Sequence, residues 1–219
     1  MLKLNPHGLP GAFLVFEGIN GCGKSVQAVR MHNWLRSLKV AVSSTKEPTT
    51  DFIGRQIRRA LEESDLMNAL GPSSLQSWYA LDSLQHLQEK VIPALGRGEV
   101  VISDRYRPSL VHSALHEGDI NLLTDLNVAI LKENFILPDV TFIFDTTPEV
   151  AVGRLARKGG ALDLQENAPE ITRTRERYLQ LARIWPNTRV IDAQKEEKEV
   201  FVEIRGIVAG LLHLSDSFA

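Results

Sequence analysis

The sequence predicts a three-layer α/β fold, in which helices flank a parallel β-sheet. Short β-rich apolar runs alternate with longer helical patterns, the order expected of successive βαβ units. Several of the runs are apolar on both faces, as when helices cover a sheet on both sides. The first run also leads straight into a glycine-rich loop and then a helix.

Residues 12–16 make the first strand and 25–38 the first helix. Residues 40–44 follow as a strand, then 53–61 as a short basic helix carrying Arg55, Arg58 and Arg59. A long helix spans 75–95, where Pro93 should end or bend it. Strands at 100–103 and 140–145 come next. Thr147-Pro148-Glu149 marks a helix start, with a hydroxyl cap, proline in the first position and an acid in the first turn. That helix reaches about residue 158 and meets Gly159-Gly160. A helix over 169–184, a strand over 188–191 and a helix over 196–212 complete the chain. No internal repeat, low-complexity block or long linker interrupts this order.

The glycine-rich loop is the most specific local signal. Gly18, Ile19, Asn20, Gly21, Cys22, Gly23, Lys24 and Ser25 fit G-x-x-x-x-G-K-[ST], between a strand and a helix. That context makes the fold the phosphate-loop NTPase type. Glycines let successive backbone N–H groups and the helix N-terminus face a phosphate. Lys24 would reach the β- and γ-phosphate oxygens of ATP and Ser25 would hold Mg²⁺, with Val26 beside the nucleotide. A helix N-terminus can acidify a thiol, but any small side chain fits at Cys22, and that plainer reading is preferred.

A second signal is Val100-Val101-Ile102-Ser103-Asp104-Arg105-Tyr106, an apolar strand ending in charges. Ligands of open α/β sheets bind beyond the carboxyl ends of strands. Asp104 is placed to order Mg²⁺ or its waters, and Arg105 to clamp a phosphoryl group with its planar fork. Alone, an Asp-Arg pair at a strand end is common; beside a phosphate loop it carries weight.

Composition narrows the partners. A chain of 219 residues suits one compact domain with a small mobile insertion. Lys and Arg total 25 against 27 acids, a net charge of -2 that points to neither a nucleic-acid polymer nor an anionic membrane. The single cysteine excludes an intramolecular disulfide framework and a Cys-rich zinc site, and fits a reducing compartment. No apolar stretch is long enough to span a bilayer, and 12–16 is too short for a signal-peptide core, so a cytoplasmic location is expected. His86 and His112 lack metal-ligand spacing and read as structural.

Taken in order, these motifs resemble the thymidylate kinase family. Phe16-Glu17 through Ser25 with Gln27 is similar to its first motif, and Lys46-Glu47-Pro48-Thr49 with Ile53-Gly54 and Ile57-Arg58 to its second. Tyr79-Ala80-Leu81-Asp82 with Gln85-His86 resembles its long-helix motif, and Asp104-Arg105-Tyr106 with Ser109 its third. Pro138-Asp139-Val140, Asp145, Pro148-Glu149-Val150, Arg173-Thr174-Arg175 with Tyr178, and Ile191-Asp192-Ala193 continue it over almost the whole chain.

The resemblance implies a five-stranded parallel sheet, a lid over about residues 154–168, a homodimer, and the reaction ATP + dTMP giving ADP + dTDP. It would put Arg58 and Arg105 on the acceptor's phosphate, Tyr79 on its base, and Asn20, Glu47, Pro48, Ser83 and Ser109 around it. Arg154 and Arg157, with Lys158, would supply the lid's arginine to the moving phosphoryl, and Asp192-Ala193 would lie beside adenine. Plainer roles stand next to these: Tyr79 as core, Arg55 and Arg59 as a solvated face, and Arg154, Arg157 and Lys158 as a cationic helix C-terminus.

Departures from the family pattern gather on the acceptor side. The long-helix position that normally carries an arginine to read the thymine carbonyl is Ser83, and Ser113-Ala114 stands where a Tyr-Gln type pair is usual. The loop acid that reads the sugar is Asn20, and Leu164 lacks a lid arginine. Losing the long-helix arginine should relax or change base choice without removing kinase activity. Kinases of another nucleotide, a nucleotide-binding regulator and an inactive scaffold are the competing readings. The absence of an Asn-Lys-x-Asp run disfavours a GTPase, and intact Lys24, Ser25, Asp104 and Arg105 disfavour the scaffold.

Overall fold

The computed structural model describes residues 5–111, 120–157 and 168–214. The chain runs β1 (Asn5–Pro6), β2 (Ala12–Glu17), α1 (Lys24–Ser37), β3 (Val42–Lys46), α2 (Phe52–Glu62) and α3 (Ser64–His86). A π-helical turn (Leu87–Val91), α4 (Ile92–Gly96), β4 (Val100–Asp104) and a 3-10 turn (Arg107–Val111) follow. Then come α5 (Ile120–Leu131), a 3-10 turn (Lys132–Asn134), β5 (Ile136–Leu137), β6 (Val140–Asp145) and α6 (Pro148–Arg157). The order closes with α7 (Ala168–Ala182), β7 (Thr188–Asp192) and α8 (Glu197–Leu211).

Five strands pair in parallel, as predicted, and their order is β3-β4-β2-β6-β7. The central strands are those with apolar residues on both faces. Phe13 to Phe16 of β2 are fully buried, and Phe16 stacks on Phe144 of β6 with centroids 5.6 Å apart. Burying such side chains stabilises by roughly 1.5–3 kcal/mol each, so the sheet centre contributes strongly to the stability of the fold. β3, an edge strand with the polar sequence VSSTK, is only half-buried. Because β2 lies between β4 and β6, its carboxyl end meets theirs, and Phe16 pairs with Asp104. The phosphate loop and the Asp104-Arg105 pair therefore leave neighbouring strands at one edge.

Element boundaries depart from expectation in three places. The second strand starts at Val42, two residues late, because Lys39 adopts φ 60 and Val40 N–H turns back to Leu35 O to close α1. The long helix begins at Ser64, and the backbone passes through Gly71-Pro72. Packing of α3 against α2 and α5 outweighs that local preference. Pro93 neither ends nor sharply breaks the run: the π-helical turn before it shifts the hydrogen-bond pattern, and Pro93 falls at the start of α4, where a missing N–H costs little. Helix α5 was not foreseen, since INLLTDLNVAIL has no clean polar face from which to read a stripe.

Candidate active site

The phosphate loop is built by close packing. Gly21 has φ 82, and a Cβ there would lie 2.4 Å from Ala151 O; Gly23 has φ 100, and a Cβ there would make only an ordinary contact, 4.0 Å from Arg154 Nη1. Both need the left-handed conformation, but only Gly21 is also hemmed in by α6. Gly21→Ala should therefore cost more than the roughly 1–3 kcal/mol of backbone strain expected for Gly23→Ala. Urea denaturation of the two variants checks the order.

Lys24 is buried, with its ammonium 3.3 Å from Ile19 O. Burial first, then the nearby Arg105 guanidinium, pull its pKa below the ordinary lysine value, against Cys22, Asp104 and Glu17. Two cations crowded beside a ring of loop N–H groups suit a polyanion. Next to them, Ser25 Oγ donates to Asp104 Oδ2 at 2.5 Å, while Asp104 Oδ1 is buried with no hydrogen-bond partner. One carboxylate and one hydroxyl, with an oxygen left over, form the sparse oxygen set that suits Mg²⁺ completed by phosphates and water.

Arg105, at φ 81 just past β4, is held on several sides. Its Nη1 donates to Gly18 O at 3.2 Å and Tyr178 Oη at 3.2 Å, and its Nη2 donates to Asn20 Oδ1. Beneath it lies Glu17, fully buried at the end of β2, accepting from Tyr106 N at 2.6 Å, Ser109 Oγ at 2.8 Å and Tyr178 Oη at 2.9 Å. Glu47, after β3, is also buried, yet the two carboxyls shift oppositely. Arg107 Nη2 donates to Glu47 Oε2 at 2.7 Å, Ser83 Oγ donates to Oε1 at 2.7 Å, and His86 Nδ1 lies 2.9 Å from Oε1. Burial raises the Glu47 pKa, but Arg107 and His86 overcome it and bring the value to about 2. At Glu17 the guanidinium of Arg105 is 3.9 Å away, so burial wins and the pKa rises.

Two cavities lie beside the phosphate loop, one bordered by its Ile19-Asn20 and the other by its Gly21-Cys22-Gly23. One, of about 260 Å³, is bordered by Asn20, Glu47-Pro48, Arg58, Tyr79, Arg105 and Ser109 among others. Arg58 is half-buried and donates to Thr49 O at 2.6 Å and to Pro48 O, tying α2 to that loop. Asp82 accepts from Thr49 N at 2.8 Å and Thr49 Oγ1 at 2.6 Å, tying the same loop to α3. The other cavity, about 340 Å³, is bordered by Gly21-Cys22-Gly23, Val26, Arg154, Arg157 and Ala193. Arg154 donates to Cys22 O at 3.3 Å and Ala193 O at 2.9 Å, bridging the loop and the end of β7.

Lys24, Ser25, Asp104 and Arg105 thus meet at one edge, and Arg58, Tyr79 and Ser109 share one cavity wall. Ser83 is fully buried, donates its hydroxyl to Glu47 and does not border the cavity. Asp192 also borders neither cavity; it is exposed and accepts from Gln194 N at 3.0 Å. Arg55 and Arg59 are exposed. Lys158, His112, Ser113-Ala114, Leu164 and most of the expected lid lie outside the described residues. His86 is structural, bridging Glu47 and Thr45 Oγ1 at 2.5 Å. No group of three or more His, Cys, Asp or Glu able to hold a metal occurs among the described residues, and none of their helices is long and apolar enough to cross a membrane.

Sequence reasoning missed Glu17 and Arg107. An acid closing an apolar strand was a signal for Glu17. Arg107 offered none, because its partner Glu47 is 60 residues away.

A family model described as thymidylate kinase matches residues 16–204. The chain is 34% identical over 204 residues to the thymidylate kinase of Carboxydothermus hydrogenoformans, covering 92% of this chain and 98% of that one. It is 34% identical over 213 residues to the thymidylate kinase of Cutibacterium acnes, at 93% and 98% coverage. With a probable thymidylate kinase of Pyrococcus horikoshii it shares 28% over 201 residues, at 90% and 96%. With the match running from the end of β2 into α8 and taking in both charged strand ends, this chain belongs to the thymidylate kinase family.

Proposed function

We propose that this chain transfers the γ-phosphoryl group of ATP to dTMP, releasing ADP and dTDP. The observation that carries this reading is the meeting of Lys24, Ser25, Asp104 and Arg105 at a loop whose Ile19-Asn20 borders one cavity and whose Gly21-Cys22-Gly23 borders the other.

Phosphoryl transfer asks a protein mainly for in-line positioning and cancellation of charge. The loop from Gly18 to Ser25 holds the β- and γ-phosphates through backbone N–H groups, and Lys24 spans both. Val26 and Ala193 border the adenosine side, with Asp192 just before them in the chain. Ser25 and Asp104 would hold Mg²⁺, which would screen the phosphate charge when bound. On the acceptor side Arg58 and Arg105 hold the 5′-phosphate of dTMP. Arg58 has N–H donors beyond the two spent on the loop. Tyr79 stacks on the base, Asn20 and Ser109 face the sugar and phosphate, and Glu47-Pro48 closes the wall. Arg154 and Arg157 neutralise the moving phosphoryl from a lid over about residues 154–168. Such a closure keeps water from intercepting it. The reading includes a single-domain subunit, a homodimer and work in the cytoplasm on small nucleotides.

An ADP-release assay with dTMP, dUMP, UMP, dGMP and dCMP tests this proposal. Turnover should depend on acceptor and be fastest with dTMP. ADP release indifferent to acceptor would mark a nucleotide-binding regulator instead.

A further inference from the structure

The acceptor cavity is bordered by two buried polar side chains, one of them with a hydrogen-bonding group left unspent. Gln76 on α3 is 2% exposed and borders the cavity, where its amide can both donate and accept. Arg107 is 3% exposed and borders the same cavity. Its Nη1 donates to Asn127 Oδ1 and its Nη2 to Glu47 Oε2, but its Nε–H has no partner. Leaving a polar group buried and unpaired is costly, and a ligand edge that completes the pairing removes the cost.

Their placement suits a base. Gln76 and Tyr79 are three residues apart on one helix, so the amide and the ring lie on one face. A base stacked on the ring would turn its edge towards the amide. Ser83, the position that would supply a guanidinium by resemblance, is fully buried and bonded to Glu47. Arg107 brings a guanidinium to this cavity from the other side, fixed by the same Glu47.

We propose that Gln76 and Arg107 together read the acceptor's base edge and select a 4-oxopyrimidine over a 4-aminopyrimidine. This rests on the acceptor cavity assigned above. An amide can present donor and acceptor in either order, so Gln76 pairs with N3–H and a carbonyl, or, flipped, with a bare N3 and an amine. Arg107 breaks that tie, because a guanidinium has only donors: a carbonyl at position 4 completes it, and an amine there opposes it. Base selectivity is therefore restored by Arg107 rather than relaxed by Ser83.

Equilibrium titration with dTMP and dCMP tests this without needing turnover. The unmodified chain should bind dTMP at least about tenfold tighter than dCMP, as expected of a specific polar contact to a base. Gln76→Met, of similar volume, should lower that ratio about tenfold while ATP affinity stays unchanged. Arg107→Lys keeps the charge beside Glu47 and should lower the ratio similarly with the fold intact by thermal melting. If Arg107→Lys does not fold, Gln76→Met alone decides. A dTMP-to-dCMP ratio within twofold of the unmodified chain in every folded variant overturns the proposal, even if the chain turns over dTMP. Selective binding that falls in the variants sustains it even if ADP release shows no acceptor dependence, which would sink only the transfer reading.

Discussion

Replacing Lys24 by methionine should lower acceptor-dependent turnover about 10³-fold, the scale of losing a preorganised charge that faces the transferring group. The same change should leave the melting temperature of the free chain unchanged or higher. The ammonium is buried beside Arg105, and both burial and that guanidinium act against its charge. Without a nucleotide the cation is a local cost, and phosphate oxygens are what offset it. The sign of the pH effect follows. A lysine whose folded pKa lies below its ordinary 10.5 destabilises the folded chain at lower pH. That penalty fades as pH rises through the depressed value towards 10.5. ATP restores the charge, so binding at alkaline pH should take up a proton in the unmodified chain and not in Lys24→Met. Calorimetric titration in two buffers of different ionisation enthalpy reads that proton. Activity lost in step with stability would make Lys24 structural.

Glu47→Gln should destabilise the chain by about 3–5 kcal/mol, because it strands the buried Arg107 charge. Four groups converge on the Glu47 loop: Arg107, Ser83 and His86 on the carboxylate itself, and Arg58 on the neighbouring carbonyls. Urea denaturation at neutral pH gives the size, and acid titration gives the sign. The folded pKa is depressed from 4.5 to about 2, so the carboxylate's contribution is complete above 4.5 and is lost as pH falls through about 2. The stability gap between the unmodified chain and Glu47→Gln should therefore close across that window. A constant gap would mean that packing, rather than charge, holds the site. The acceptor's KM should rise as well, since Arg107 loses its anchor at the cavity wall.

Much of this architecture could be read from one dimension. Runs such as AFLVFE, VVISD and VTFIFD are apolar on both faces because helices cover both, and that made the sheet legible. The phosphate loop was legible because its glycines answer a local backbone demand. Asp104 and Arg105 were legible because strand ends mark the ligand edge. What escaped was non-local. Ser83 drew attention as a missing arginine, whereas its hydroxyl is consumed by Glu47, 36 residues earlier. Arg107 and Gln76 gained meaning only once α3, the segment after β4 and the Glu47 loop closed on one cavity. No spacing rule links residues whose relation is set by three separate crossovers of the chain.

Titration with a two-substrate mimic, adenosine joined through its phosphate chain to thymidine 5′-phosphate, probes the meeting of donor and acceptor between Lys24 and Arg105 most directly. It should bind at least about 10²-fold tighter than ADP or dTMP alone, as a ligand spanning both subsites does. Lys24→Met and Arg105→Lys should each weaken it. A mimic that binds no tighter than the better of its two halves would mean that the two cavities do not share a phosphoryl path.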